Sequence, residues 1–296
     1  MAADGSVVRV EEVSPTYWRV TFDAPPINLV GPAMVAQLRD LLAVLEREQQ
    51  VAVVVFDSAD PDFFLAHWDI AADPAVIGAL PVGPTGMHPW LDILIRLSRL
   101  PLITVSALRG RARGAGSEFA LATDIRFASR EKAVLGQFEI GAGAVPGGGP
   151  ASRLPRLVGR GRALEILAGA DDFDADTAER YGYVNRAVPD AEFVEFVEAF
   201  ARRVSRFDVR ALREVKAFVN DVSLPADAEF PPQMDAFARS VSRPETRHLA
   251  GQLFERGLQQ RGDTELRLGA TVAALEPIPR ADRVDHRNTP LTQPDS

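Results

Sequence analysis

The chain has 296 residues, of which 46% are hydrophobic and 25% charged, with a formal net charge of −8. That is enough for a substantial core in one large domain or two small ones, and the negative charge argues against nucleic acid as a partner. The absence of cysteine excludes disulfides and thiolate chemistry, and it fits a reducing, cytoplasmic setting.

Met1 to Val10 has no basic start followed by an apolar run, so no signal peptide is expected. Residues 7–10 and 17–23 predict two short strands, with a turn at Ser14-Pro15. After the break at Asp23-Ala-Pro-Pro-Ile-Asn28, Val30 to Glu48 shows helical periodicity, with Met34, Leu38, Leu41, Leu42 and Leu45 on one side. Val51 to Phe56 is a continuous apolar run, as expected for a strand buried on both faces. The stretch Ala71 to Pro89 holds four prolines and three glycines, which predicts a flexible lid with no helix in it. Leu91 to Leu108 is apolar but carries Arg96 and Arg99, so no membrane span is expected.

Pro101 to Ala107 reads as a strand that empties into a glycine-dense loop, and an apolar helix begins directly afterwards. Such a junction aims unpaired backbone N–H groups and the positive end of a helix at one point, a place to put a developing negative charge. Two carboxylates bracket it. Glu118 falls in the first turn of the expected helix, and Glu139 lies on a turn after a short strand, Ala133 to Leu135. Apolar neighbours Phe119, Leu135, Phe138 and Ile140 would raise a carboxyl pKa by desolvation, and a shared pocket would push the two titrations apart. The plainer alternatives are a Glu placed by the helix dipole alone and a Glu solvated on a turn.

Gly147-Gly148-Gly149-Pro150 lacks the Lys-Ser/Thr that follows a phosphate loop, so close backbone packing is its expected use. Helices are predicted over Gly161 to Ala168, Ala175 to Tyr181 and Ala191 to Ser205, with a strand over Tyr183 to Val188. Val209 to Gly262 reads as wholly helical. Beyond it the chain turns polar, and Pro277 to Ser296 has the composition of a disordered tail. His67, His88, His248 and His286 are scattered without metal-ligand spacing, so no metal is expected.

The run Arg113-Gly114-Ala115-Gly116-Ser117-Glu118-Phe119-Ala120-Leu121-Ala122-Thr123-Asp124-Ile125-Arg126 resembles the signature of the crotonase (enoyl-CoA hydratase/isomerase) family. Gly136-Gln137-Phe138-Glu139, Val145-Pro146-Gly147-Gly148-Gly149 and Arg153-Leu154-Pro155-Arg156-Leu157-Val158-Gly159 match that family's next three blocks in the same order, and the similarity spans about residues 5 to 260. The resemblance implies an α/β fold: a crotonase-like ββα spiral core with the active site over residues 1–208 and a C-terminal helical oligomerisation segment over 209–262; composition adds a polar, disordered tail over 263–296. It further implies an acyl-CoA substrate with no other cofactor, a role in fatty acid metabolism and assembly into trimers or hexamers.

In the resembling enzymes the residue at Trp68 and the residue at Ala115 supply the backbone N–H donors of an oxyanion hole, and the carboxylates at Glu118 and Glu139 handle water and the α-proton. Because both carboxylates are present, hydration of a 2,3-double bond leads over isomerisation, which generally needs only the second; hydrolysis, decarboxylation or a catalytically silent protein are the other readings. The family's Phe-x-Ala-Gly-Ala-Asp-Ile becomes Phe64-Leu65-Ala66-His67-Trp68-Asp69-Ile70 here. Ala66, His67, Asp69, Ile70, Gly114 and Phe138 are thereby expected around the substrate, and Arg256 in Phe254-Glu255-Arg256 takes the place of a lysine that meets a CoA phosphate. His67 is expected to face solvent or pack rather than act as a third acid or base. Trp68 either walls the acyl pocket, favouring compact or flat acyl groups, or covers a neighbouring helix. Asp60 and Asp62, just before a loop where basic residues often meet CoA, favour the silent reading.

Overall fold

The computed structural model describes residues 5–276, as two sheets and the helices that pack on them. The first sheet has the order β1-β2-β3-β5-β7-β10, built from Val8–Ser14, Tyr17–Phe22, Val53–Ser58, Ile103–Leu108, Ile125–Ser129 and Arg186–Val188. The second has the order β4-β6-β8-β9, from Phe63–Leu65, Arg111–Arg113, Val134–Gly136 and Asp172–Asp174. Only β1 with β2 and β8 with β9 are antiparallel. From β3 to β8 the chain alternates between the sheets, one strand to each, before a helical segment starts the next turn. That is the ββα spiral expected from the resemblance.

The helices in chain order are α1 (Pro32–Leu45), α2 (Pro74–Gly78), α3 (Pro89–Arg99), α4 (Ala115–Ala122), α5 (Pro150–Val158), α6 (Arg160–Gly169), α7 (Ala175–Tyr181), α8 (Asp190–Val204), α9 (Val209–Ser223), α10 (Pro231–Val241), α11 (Pro244–Glu255), α12 (Asp263–Leu266) and α13 (Leu268–Ala273). No helix among the described residues is long and apolar enough to cross a membrane.

β3 is buried on both faces, and its alternation divides the core. Val54 and Phe56 face one cluster with the α1 residues Met34, Leu38, Leu42 and Leu45, whereas Val53 and Val55 face another with Phe193, Val197 and Ala201 of α8. Phe119 of α4 sits among Phe22, Phe56 and Phe64, edge-on to the first two at 5.3 and 5.1 Å between ring centroids. α4 is thereby pinned to the sheet by its fifth residue, next to Glu118.

Three expectations need correction. Ala71 to Pro89 is not helix-free: α2 forms there, with a proline at its first position where the missing N–H costs nothing. Val209 to Gly262 is divided among α9, α10 and α11, with a short 3₁₀ turn at Asp227–Glu229, and its last helix ends at Glu255. Residues 263–276 are not a disordered tail. They form α12 and α13, whose Leu268 and Val272 bury against Phe138, Ala142 and Leu253. Polarity misled here because these helices are short and seal with few apolar residues. The expected tail from 277 onward lies outside the described residues.

α9 is tied down by its one buried ionic group, Lys216, whose Nζ donates to Asp124 Oδ2 at 2.7 Å and to the Leu102 carbonyl at 2.8 Å. Its other side carries Val215, Phe218, Val219 and Val222 in exposed positions, with Phe218 70% and Val222 87% accessible.

Replacing Phe119 with alanine should remove the ring that three other phenylalanines contact and destabilise the fold by about 3–5 kcal/mol. The midpoint of urea unfolding, at unchanged slope, measures it.

Candidate active site

The site is assembled where two parallel strands of the second sheet end. β4 pairs with β6, and past the paired strands the Arg113 N–H donates to the Ala66 carbonyl at 3.2 Å. One step further come His67 and Gly114, and then Trp68 and Ala115. Gly114 has φ 48°, a value that side chains with Cβ rarely adopt, and a Cβ there would lie 2.8 Å from Glu139 Oε1 and 3.5 Å from the His67 Cβ. This glycine lets the 67–68 loop, the start of α4 and the Glu139 carboxyl converge.

The peptide planes on both sides of Trp68 are fixed. The His67 carbonyl accepts from the Val30 N–H at 2.8 Å, and because a trans peptide points its C=O and N–H in opposite directions, the Trp68 N–H is turned away from Val30. The Asp69 N–H donates to the Val30 carbonyl at 3.0 Å. Neither the Trp68 N–H nor the Ala115 N–H, the first of α4, has an acceptor among the described residues. The Trp68 indole lies edge-on to Trp90 at 5.9 Å and near His88 at 6.4 Å, so it covers the start of α3.

Glu118 is 4% exposed. Its Oε2 accepts from the Trp90 indole N–H at 2.9 Å and its Oε1 from the Gly148 N–H at 2.7 Å. Burial pushes its pKa up, and these two donors oppose the shift. A Cβ at Gly148 would fall 2.0 Å from Glu118 Oε2, so the glycine run serves close approach to this carboxylate. Glu139 opens the 3₁₀ turn Glu139–Ala142. Its Oε2 is sealed from solvent with no hydrogen-bond partner, and burial, followed by the nearby Glu118 charge, raises its pKa to about 8. The two buried carboxyls therefore sit close enough to influence each other and differ in hydrogen bonding: Glu118 accepts from two N–H donors, while Glu139 leaves Oε2 unpaired and keeps a proton at neutral pH.

His67 departs from expectation. It is neither solvent-facing nor merely packed: its buried ring is hydrogen-bonded at both nitrogens, to the Trp68 carbonyl and to Glu265, and lies edge-on to Phe138. Ala66 is fully buried, Asp69 accepts from Gln259 and Ala71, and Ile70 is exposed. Arg256 caps the end of α11, exposed, and donates to the Ala274 carbonyl at 3.0 Å. Asp60 and Asp62, which had favoured a silent protein, are both paired with Arg261. The expected lid is anchored over part of its length, because the Thr85 N–H and hydroxyl both donate to buried Asp92 of α3.

Trp90, Gln259 and Glu265 were not found from the sequence. His88-Pro89 ahead of Trp90 is a helix-start signal, and His88 does cap α3 by accepting from the Trp90 N–H. Nothing local pointed from that indole to Glu118. Glu265 sits in a stretch whose polarity concealed its burial.

The family model described as enoyl-CoA hydratase/isomerase matches residues 14–248. The chain belongs to this family. A proposed enoyl-CoA hydratase from Streptomyces avermitilis superposes with a TM-score of 0.87 at 45% identity, covering 93% of this chain and 99% of that one. DspI of Pseudomonas aeruginosa gives a TM-score of 0.68 at 26% identity over 86% of this chain and 98% of its own. An enoyl-CoA hydratase from Mycobacterium avium subsp. paratuberculosis, TM-score 0.75 at 22% identity, covers 84% of this chain and all of that one, and shares the fold.

The raised pKa of Glu139 has a sign that melting curves can read. The folded protein keeps a proton that an unfolded carboxyl, near its ordinary 4.5, would release. That contribution is complete below the unfolded value and is lost as pH climbs toward about 8. Glu139→Gln, neutral throughout, should match the parent in Tm at about pH 5 and exceed it increasingly toward about pH 8.

Proposed function

We propose that the protein is a hydratase adding water across the 2,3-double bond of an acyl-CoA thioester. The observation that carries this reading is a pair of buried carboxyls, Glu118 held by two N–H donors and Glu139 with an unpaired Oε2, beside two backbone N–H groups with no acceptor among the described residues. The Trp68 and Ala115 N–H groups would take the thioester oxygen as it gains negative charge, a stabilisation worth roughly 3–4 kcal/mol per donor in related oxyanion holes. Glu118, fixed by Trp90 and Gly148, acts as the base in its carboxylate form and accepts a proton from water as the water oxygen attacks C3. Glu139 delivers its proton to C2. The sum is one H and one OH added across the double bond, and the proton on Glu118 returns the pair to its starting state by transfer to Glu139 through solvent or product release.

The chemistry needs no cofactor beyond the CoA carried by the substrate, and the reading places the enzyme in the cytoplasm, in fatty acid metabolism. Arg256, exposed at the end of α11, keeps the charge that a CoA phosphate would meet. The Trp68 indole against Trp90 fills space beside the carboxyls, which supports compact or flat acyl groups over long flexible ones.

A verified 2-enoyl-CoA substrate should lose its conjugated-thioester absorbance on incubation with the protein. Glu118→Gln and Glu139→Gln should each lower kcat by about 10²–10⁴-fold. A product with the double bond moved to C3 would replace hydratase by isomerase, and unchanged turnover in both variants would reject the mechanism.

The exposed apolar side of α9 supports assembly through the C-terminal helices. Light scattering should give a trimer or hexamer, and Val219→Asp with Val222→Asp should shift the mass toward monomer.

A further inference from the structure

Beyond the Val30 bonds to the backbone, the side chains flanking Trp68, His67 and Asp69, are held by one short stretch far along the chain. The His67 ring places Nδ1 2.8 Å from the Trp68 carbonyl and Nε2 2.9 Å from Glu265 Oε1, with His67 1% and Glu265 0% exposed. Burial works to raise the Glu265 carboxyl. The His67 charge and hydrogen bond, the Gln259 N–H and Arg113 outweigh it, so its pKa lies below the usual range and the group is ionised. With a carbonyl on one side and a carboxylate on the other, the imidazole donates from both nitrogens. On the other flank, the Gln259 side chain donates to Asp69 Oδ1 at 2.9 Å and accepts from the Ala71 N–H at 3.1 Å, while its own backbone N–H donates to Glu265 Oε1 at 2.7 Å.

We propose that His67 and Glu265 are a positioning pair for the reaction: they lock the backbone on either side of Trp68 so that its N–H stays aimed at the thioester oxygen. This rests on the oxyanion reading above. A backbone donor is only as well aimed as its peptide plane, and a misplacement on the order of 1 Å can cost about 10²-fold in rate. The bulky indole at 68 packs against Trp90 and His88. The imidazole bridges from that residue's carbonyl to a buried carboxylate and so ties the loop to Glu265. A small residue at 67 would leave the Trp68 carbonyl without its partner and Glu265 without its counter-charge. Arg113 extends the brace: buried, it donates to the Glu265 carbonyl at 2.7 Å while gripping Asp172 with both arms of its guanidinium. Neither His67 nor Glu265 is argued to touch the reacting atoms.

The test is kinetic, with hydrogen exchange as a readout that does not depend on turnover. His67→Ala and Glu265→Ala should each lower kcat by roughly 10–100-fold with KM little changed. The double variant should be no worse than either single one, because the pair acts as a unit. Glu265→Gln, whose carbonyl oxygen still accepts from the ring and from Gln259, should retain most of the parent kcat. Amides in a peptide covering residues 64–72 should exchange faster in both alanine variants and at the parent rate in Glu265→Gln. Wild-type kcat in either alanine variant, a loss confined to KM, or unchanged exchange in that peptide would overturn the proposal. If alanine at either position prevents folding, His67→Asn, too short to reach Glu265, is judged by the same criteria. Glu118→Gln separates the two readings. Should it leave turnover intact, the hydratase mechanism fails and exchange alone decides the positioning role; should it abolish turnover beside a fully active His67→Ala, only the positioning role fails.

Discussion

A carboxylate taken out of water costs several kcal/mol unless hydrogen bonds replace its hydration, and the Glu118 carboxylate dictates much of what surrounds it. One donor comes from the second residue of α3 and the other from a glycine thirty positions beyond Glu118 itself. Both must arrive within about 3 Å of the same group, so α3, α4 and the glycine run have to be placed together or not at all. Gly148 has no side chain because the carboxylate occupies the volume where one would be. Glu139, a second buried carboxyl close enough to feel the Glu118 charge, has no donor on Oε2 and keeps its proton. Stability and chemistry are thus set by a single contrast: two donors for one carboxyl, a sealed and unpaired oxygen for the other.

Much of this was legible in the sequence, and the legible parts share a physical origin. The strand at Val51 to Phe56 announced itself by an unbroken apolar run, and β3 is buried on both faces there. α1 announced itself by period, and each of Met34, Leu38, Leu41, Leu42 and Leu45 is buried. Glu118 and Glu139 were found because they lie in ordered blocks that resemble a family, not because spacing alone singles them out. What could not be read were contacts made across long separations by residues of unremarkable local pattern. The Trp90 to Glu118 bond spans 28 positions and the His67 to Glu265 bond spans 198. No periodicity encodes such pairs, since each partner obeys only its own helix or loop.

The C-terminal stretch shows the same point from the other direction. Between α11 and α13 the chain is polar, yet Gln259 and Glu265 spend their polarity on Asp69 and on buried His67, while Arg261 pairs with Asp60 and Asp62 at the surface. Composition measures how much polar surface a segment has and says nothing of where it faces. A segment that satisfies buried charges looks, residue by residue, like one that dissolves in water. The pairing with Arg261 offsets one of the two negative charges of Asp60 and Asp62.

Lys216 leads to a different kind of consequence. On the proposed function the substrate is a CoA thioester, and such thioesters acylate free amines and thiols without any enzyme, so a protein that binds them would be exposed to damage by that substrate. This chain has no thiol and two lysines, and one of the two ammonium groups is sequestered between Asp124 and the Leu102 carbonyl, while the other, Lys132, is engaged with Asp190. Its remaining positive charge is carried by guanidinium groups, which stay protonated and are poor nucleophiles at neutral pH. The use of arginine in place of lysine, which leaves net charge unaltered, gives a surface that can meet reactive acyl groups with few amines for them to modify.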